Sequence, residues 1–174
     1  MDSDLVHSFL VAAHDILTAE DLSPVRVGAV TTVDSPLVSH EVSVLIGMTG
    51  RQGGVVVLYG MSGTTAKGLV SVMMGGPVQA RDALVQSAVG EIGNMIAGRA
   101  AMELAKRGRD VNITPPLIVV GEKRISRSNV RRLVIPFTTS SGDILIHLAL
   151  AEAFRAGRVS KGVDHGLVRF AAEG

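Results

Sequence analysis

Two stretches of this chain superimpose without a gap: LIGMTGRQGGVVVLYG (45–60) and VIPFTTSSGDILIHLA (134–149), offset by 89 residues. Ile46/Ile135, Thr49/Thr138 and Gly53/Gly142 coincide, and most apolar positions match. Each reads as a β-hairpin, with β-branched runs on either side of a short turn-forming stretch, GRQGG (50–54) in the first. Each half begins with a helical pattern and continues through three strand patterns. A repeat of this kind limits the fold, because each unit needs its copy to cover its apolar face. Two α-β-β-β units joined by a helix pair their hairpins into one antiparallel sheet with the long helices on one face. The expected class is α+β.

The individual elements follow from local patterning. Leu5, Phe9, Val11 or Ala12, and Ile16 have helical spacing within 4–19, and Ser23-Pro24 ends that pattern. Strands are expected at 25–33, 41–49, 54–60, 116–121, 131–138 and 142–149. Ser62 is an N-cap candidate for a short helix, GTTAKGLVSVMM, stopped by Gly75-Gly76-Pro77. A long helix is expected over roughly 79–107. GEKRISRSNVRR (121–132), with five basic residues and one acid, reads as a solvated basic loop leading into a strand. One domain is expected over 1–155 with a C-terminal tail over 156–174, and AEAFRAG at its start has the pattern of one or two helical turns.

Composition removes several classes of function. With 17 Lys plus Arg against 16 Asp plus Glu, the net charge of +1 offers no general attraction to nucleic acid or anionic membrane. Aromatics are only 3%, so no base-stacking platform is expected. The absence of cysteine excludes disulfides, thiolate metal sites and cysteine nucleophiles. The five histidines are scattered without ligand partners, and no metal site is expected. MSGTTAKG (61–68) lacks the phosphate-loop spacing. The start, MDSDLVHSFL, is acidic and without a signal-peptide n-region, and no apolar run approaches the ~20 residues of a membrane span. A soluble, cytoplasmic protein is expected.

The long helix poses a question. SAVGEIGNMIAGRAA (87–101) carries glycines at 90, 93 and 98 and an asparagine in mid-run. Each glycine costs about 1 kcal/mol relative to alanine in a helix interior. At about 100° per residue, Val85, Val89, Ile92 and Ile96 share one arc and form the core face. Ser87, Glu91, Asn94 and Gly98 share the opposite arc, with Gly90 flanking it and Gly93 nearer the core. A face that is only solvated gains nothing from missing side chains. Bare backbone beside a carboxylate and a carboxamide suits the close approach of another molecule. Gly90 and Gly98 are therefore expected to face a partner, and Gly93 to face the protein interior.

The stretch Ser87-x-x-x-Glu91-x-x-Asn94 within SAVGEIGNMIAG, followed by Pro115-Pro116, resembles the signature of the CheC/CheX chemotaxis phosphatases. That family has Asp or Ser, then Glu, then Asn at this spacing, with a proline some twenty residues on. The resemblance covers about residues 4–150. The first helix has no Glu-x-x-Asn, so at most one site is intact, as in CheX-like members. The resemblance implies a phosphatase acting on the aspartyl phosphate of a CheY-like response-regulator receiver domain. The partner supplies the phosphate, a bound Mg²⁺ and a lysine, and the phosphatase needs no cofactor of its own. Asn94 then orients the attacking water, Glu91 pairs with the partner lysine, and Ser87, Gly90, Gly98 and Pro116 belong to the docking surface. A water-orienting amide suits this chemistry, which depends on positioning and charge stabilisation.

Two other readings compete. One is a non-catalytic receiver-binding or flagellar-switch-type module, which has no need of a water-orienting amide. The other is a purely structural dimer, in which Asn94 is replaceable. A homodimer through a strand edge is also expected. Ile144, Ile146 and Leu148 alternate with Leu145, His147 and Ala149 on the last strand, and Leu145 and Ala149 need cover. CheX-like proteins, which the chain resembles, dimerise through such strands.

Overall fold

A computed structural model describes residues 3–78 and 82–152. The chain runs α1 (Ser3–Ala19), β1 (Arg26–Val27), β2 (Thr31–Val38), β3 (Val42–Gly50), β4 (Gly53–Met61), α2 (Gly63–Met73), α3 (Asp82–Ala105), β5 (Val111–Ile113), β6 (Leu117–Val120), β7 (Arg124–Thr139) and β8 (Gly142–Leu150). Every strand pairing is antiparallel, which makes the class α+β as expected. Ala151 and Glu152, the start of AEAFRAG, are helical, and the rest of that stretch and the tail lie outside the described residues.

The repeat is visible in the strand register. Ile46 pairs with Val57, and 89 residues later Ile135 pairs with Ile146. The two hairpins meet through β4 and β8, where Leu58 faces His147, again 89 residues apart. That pair lies on the pseudo-two-fold axis relating the halves. The outer strands are exchanged. β1 and β2 of the first half pair with β7, and β5 and β6 of the second pair with β3. Each half therefore completes the other's sheet.

Local chemistry explains the turns and caps. β3 and β4 are joined by Arg51-Gln52, and Gly53 takes φ +110°, a conformation that L side chains rarely adopt. Ser62 caps α2, its side chain accepting from Thr65 N–H at 3.0 Å. At the other end the Gly76 N–H reaches Ser71 O and the Gly75 N–H reaches Val72 O, with Gly75 at φ +74°, a Schellman stop.

The helices lie on one face of the sheet. Leu5, Phe9 and Leu17 of α1 and Val85, Val89, Ile92 and Ile96 of α3 are buried with Val44, Ile46, Val57, Tyr59, Ile135 and Ile146. α1 and α3 pack on each other, and Ala12, Ala13, Ala97 and Ala100 are fully buried in the shared core. Ion pairs Asp15–Arg99 (3.0 Å) and Asp4–Arg107 (2.8 Å) link the two in reverse order along the chain, consistent with their opposite directions. No described helix is long and apolar enough to cross a membrane.

Three expectations need correction. The strand expected at 25–33 is divided into β1 and β2 opposite Pro136, which has no N–H to give the ladder. A single bond, Gly28 N–H to Pro136 O at 2.9 Å, bridges the break. The basic stretch 121–132 is not a solvated loop: from Arg124 onward it is strand, paired with β2. Ser126, Val130 and Arg132 point inward and Arg127, Asn129 and Arg131 outward, so its period of two is written mostly in polar residues. Finally, β8 is not at an edge but lies between β7 and β4. Ala149 is buried in a second apolar cluster with Leu37, Leu45, Val56, Leu58, Val119, Ile125 and Val130, and Leu145 is half-buried. The cover that β8 requires comes from its own chain.

Candidate functional site

α3 is held against the sheet by its core face, with Val85, Val89, Ile92 and Ile96 all at most 5% exposed. The opposite face carries the candidate residues. Ser87 and Glu91 are exposed, and Asn94 and Gly98 are half-buried. Glu91 and Asn94 are three apart and so adjacent on the helix surface. Among the described residues neither side chain has a hydrogen-bond or ion-pair partner. Their neighbours differ: Arg99 binds Asp15 at 3.0 Å and Glu103 at 3.3 Å, and Lys106 binds Glu103 at 2.8 Å. A carboxylate and a carboxamide without partners are free to bind something from outside.

The three helix glycines occupy three different settings. A Cβ on Gly93 would lie 3.0 Å from Val44 Cγ1 and 3.3 Å from the Tyr59 ring, so this position faces the core as expected. A Cβ on Gly98 would meet nothing closer than Ile113 Cδ1 at 4.0 Å, which leaves open backbone beside Asn94. Gly90 corrects the expectation that it faces a partner. It is buried, and a Cβ there would come within 2.9 Å of Ile118 Cδ1 and 3.8 Å of Pro116 Cγ. β6 closes on the helix at that point. Pro116 is itself half-buried and is brought from 26 residues away to the flank of the Glu91–Asn94 face.

A second polar group lies on the far face of the sheet, and single-sequence reasoning passed over it. Arg132 is buried, and its Nε donates to His147 Nδ1 at 3.1 Å. Its Nη1 donates to Ser35 O (2.8 Å) and Val130 O (3.0 Å), and its Nη2 to Ser35 Oγ (3.2 Å). With Nδ1 accepting, the proton of neutral His147 resides on Nε2, 3.3 Å from His40 Nε2. The His40 ring lies over Gly60, where any side chain would collide with it. Burial, then the Arg132 charge, then His40 depress the His147 pKa to about 3. Burial likewise lowers that of His40, aided by Arg132 and opposed by Glu122. The group pins β2, β7 and β8 together on the side away from α3. The signal that could have found it is the pairing of His147 with Leu58 in the repeat, a polar residue where the copy has an apolar one.

Among the described residues no cluster of three or more His, Cys, Asp or Glu could hold a metal ion. A cavity of about 590 Å³ opens at the end of the sheet, between the Arg51-Gln52 turn and residues 108–112. None of the candidate residues lines it. The chemistry available at the α3 face is that of one hydroxyl, one carboxylate, one carboxamide and bare backbone.

Known proteins share this sequence and this fold. The family model for chemotaxis phosphatase CheX matches residues 42–138, a span that includes α3 and Pro116. The chain is 34% identical over 154 residues to the CheY-P phosphatase CheX of Thermotoga maritima, covering 86% of this chain and 97% of that protein. A CheC-like superfamily protein from Shewanella sp. PV-4 superimposes with a TM-score of 0.76 at 25% identity, over 86% of this chain and 99% of that one. In the CheX–CheY–BeF3–Mg²⁺ complex of Borrelia burgdorferi, the matching chain has a TM-score of 0.71 and 26% identity, over 86% of this chain and 99% of that one. By the family model and the 34% identical relative, this chain belongs to the CheX family of chemotaxis phosphatases.

Proposed function

We infer that this protein dephosphorylates the aspartyl phosphate of a CheY-like response-regulator receiver domain. The observation that carries the reading is the pairing of Glu91 and Asn94 on the outer face of α3, both without partners, beside the open backbone of Gly98. Asn94 holds a water through its carboxamide, in line with the bond to be broken. The water oxygen bonds to phosphorus, the bond from phosphorus to the partner's aspartyl oxygen breaks, and inorganic phosphate leaves as H2PO4⁻ with both of the water's protons, the aspartate returning to a carboxylate. A neutral amide can do this without repelling the phosphoryl oxygens, as a carboxylate would. Glu91 pairs with a lysine of the receiver and sets the register of docking. Mg²⁺ belongs to the receiver and neutralises charge on the transferred group.

Ser87, Gly98 and Pro116 line the docking surface in this reading. Gly90 serves it indirectly, by letting β6 and Pro116 close on the helix. Residues 1–155 form the catalytic domain and 156–174 a tail. A receiver partner implies a cytoplasmic setting. A homodimer through an exposed edge strand completes the reading, supported by the exposed Val38 of β2 and Leu117 and Val120 of β6. Light scattering is expected to give twice the 18.1 kDa chain mass. A monomer across the micromolar range removes the dimer and leaves the single-chain site untouched.

The deciding experiment is phosphate release from CheY-like receivers encoded in the same genome, phosphorylated with acetyl phosphate, with and without this protein. Acceleration that disappears with Asn94→Ala supports hydrolysis. Binding without acceleration leaves the non-catalytic docking module.

A further inference from the structure

The outer face of α3 extends beyond its polar residues. Two of its large apolar side chains are exposed, Leu84 at 41% and Met102 at 58%. On the helical wheel both fall about 20° from Glu91, on the side away from Ser87, Asn94 and Gly98, and widen that arc to about 80°. Leu84, Ser87, Glu91, Asn94, Gly98 and Met102 form one continuous stripe at spacings of three and four. Apolar residues thus stand at both ends of a polar centre. Leu84 lies about 15 Å before Asn94 along the helix axis and Met102 about 12 Å after it, at 1.5 Å per residue. The stripe is about 27 Å long. A standard protein interface takes ~800 Å² from each partner, a patch roughly 32 Å across. A partner seated over Asn94 therefore reaches both ends.

Charge points the same way. Glu91 is the only charged residue of the stripe. The basic residues toward the C-terminal end of the helix, Arg99, Lys106 and Arg107, are engaged by Asp15, Glu103 and Asp4. The face presents one fixed charge to a cationic group, flanked by surfaces that gain by leaving water.

We propose that Leu84 and Met102 are the docking anchors of the receiver domain. They grip it on either side of the reacting centre and supply affinity, while Glu91 and Asn94 supply register and chemistry. The proposal rests on the phosphatase reading for the identity of the partner. It assigns these two residues to ground-state binding, so their loss raises KM and leaves kcat unchanged.

The test uses the full chain and a fluorescently labelled CheY-like receiver held in Mg²⁺ and beryllofluoride, titrated by anisotropy. Turnover is measured separately on receiver phosphorylated with acetyl phosphate. Leu84→Ser and Met102→Gln are each expected to weaken binding about tenfold, near 1.4 kcal/mol. Being far apart, they should combine to about a hundredfold. At saturating receiver kcat stays within about twofold of wild type, an expected distinction between lost binding and lost chemistry. Met102→Leu retains the affinity. Met74→Gln, a similarly exposed methionine just past the end of α2 and outside the stripe, changes nothing. Wild-type affinity in both anchor variants overturns the proposal, as does an equal loss in Met74→Gln. Binding that depends on Leu84 and Met102 but brings no hydrolysis supports the anchors and removes the phosphatase reading. A wild type that binds no receiver overturns both.

Discussion

α1 and α3 lie on the same face of the same sheet, yet they are built to different rules. α1 has no glycine, and it buries Leu5, Phe9, Ala12, Ala13 and Leu17. α3 carries three glycines and an asparagine, and its outer face leaves a carboxylate and a carboxamide without partners. In the pseudo-symmetric frame the halves are equivalent, so position in the fold does not explain the difference. α1 is shaped by packing alone. α3 gives up helix propensity in two distinct ways: at Gly90 and Gly93 to let the protein close on the helix, and at Gly98 to leave backbone open. A glycine-rich helix is thus not one signal but two, and only one of them concerns function.

The contrast can be broken by experiment, most sharply at its centre. Phe9→Ala, at a fully buried position of α1, is expected to cost about 3–5 kcal/mol of stability. Phosphatase activity per folded molecule should not change. Denaturant unfolding with parallel turnover assays checks this, and a selective loss of activity would end the view that α1 only packs. Asn94→Ala is the mirror experiment. Turnover is expected to fall about 10²–10³-fold, the usual effect of losing a preorganised hydrogen-bonding group. The melting temperature should hold or rise slightly, because alanine is the better helix former.

Smaller effects separate the glycines. Gly90→Leu drives a side chain into Ile118 and is expected to cost at least 1–3 kcal/mol, the range for overpacking. Calorimetry that finds it neutral would show that β6 yields easily. The far face of the sheet should dominate the acid limit. Because the folded His147 pKa is near 3 against an ordinary 6.5, the unfolded chain binds one more proton between those values. Stability is full above about pH 6.5 and is lost as pH falls toward 3, at about 1.4 kcal/mol per pH unit for this group. His147→Gln should flatten the pH dependence measured by unfolding between pH 4 and 6.5, while an unaltered slope would place the acid sensitivity elsewhere. The smallest effect is Gly98→Ala, expected to stabilise by up to about 1 kcal/mol. Any activity lost in that variant measures how closely the partner approaches the helix backbone.

The sequence by itself determined whatever short-range periodicity encodes. The two faces of α3 follow from 3.6 residues per turn, and both hairpins follow from alternation around their turns. The offset of 89 followed from comparing one hairpin with the other, and it reappears in the register of every hairpin pair. Glu91, Asn94 and Gly98 could be placed together because helical neighbours are neighbours in sequence. Only the tertiary structure decided which outer strands pair with which half, because edge exchange depends on contacts between residues far apart in the chain, from Leu45–Leu117 to Arg26–Thr138. It alone decided that Gly90 faces Ile118, since β6 reaches the helix by pairing with β3. It alone buried Arg132 and His147, whose polar character argues for solvent until Ser35 of β2 and His40 of the β2–β3 connection arrive to satisfy them. The physical reason is common to all three. A period within one element fixes which way a side chain faces, but what it meets there is set by elements remote in sequence.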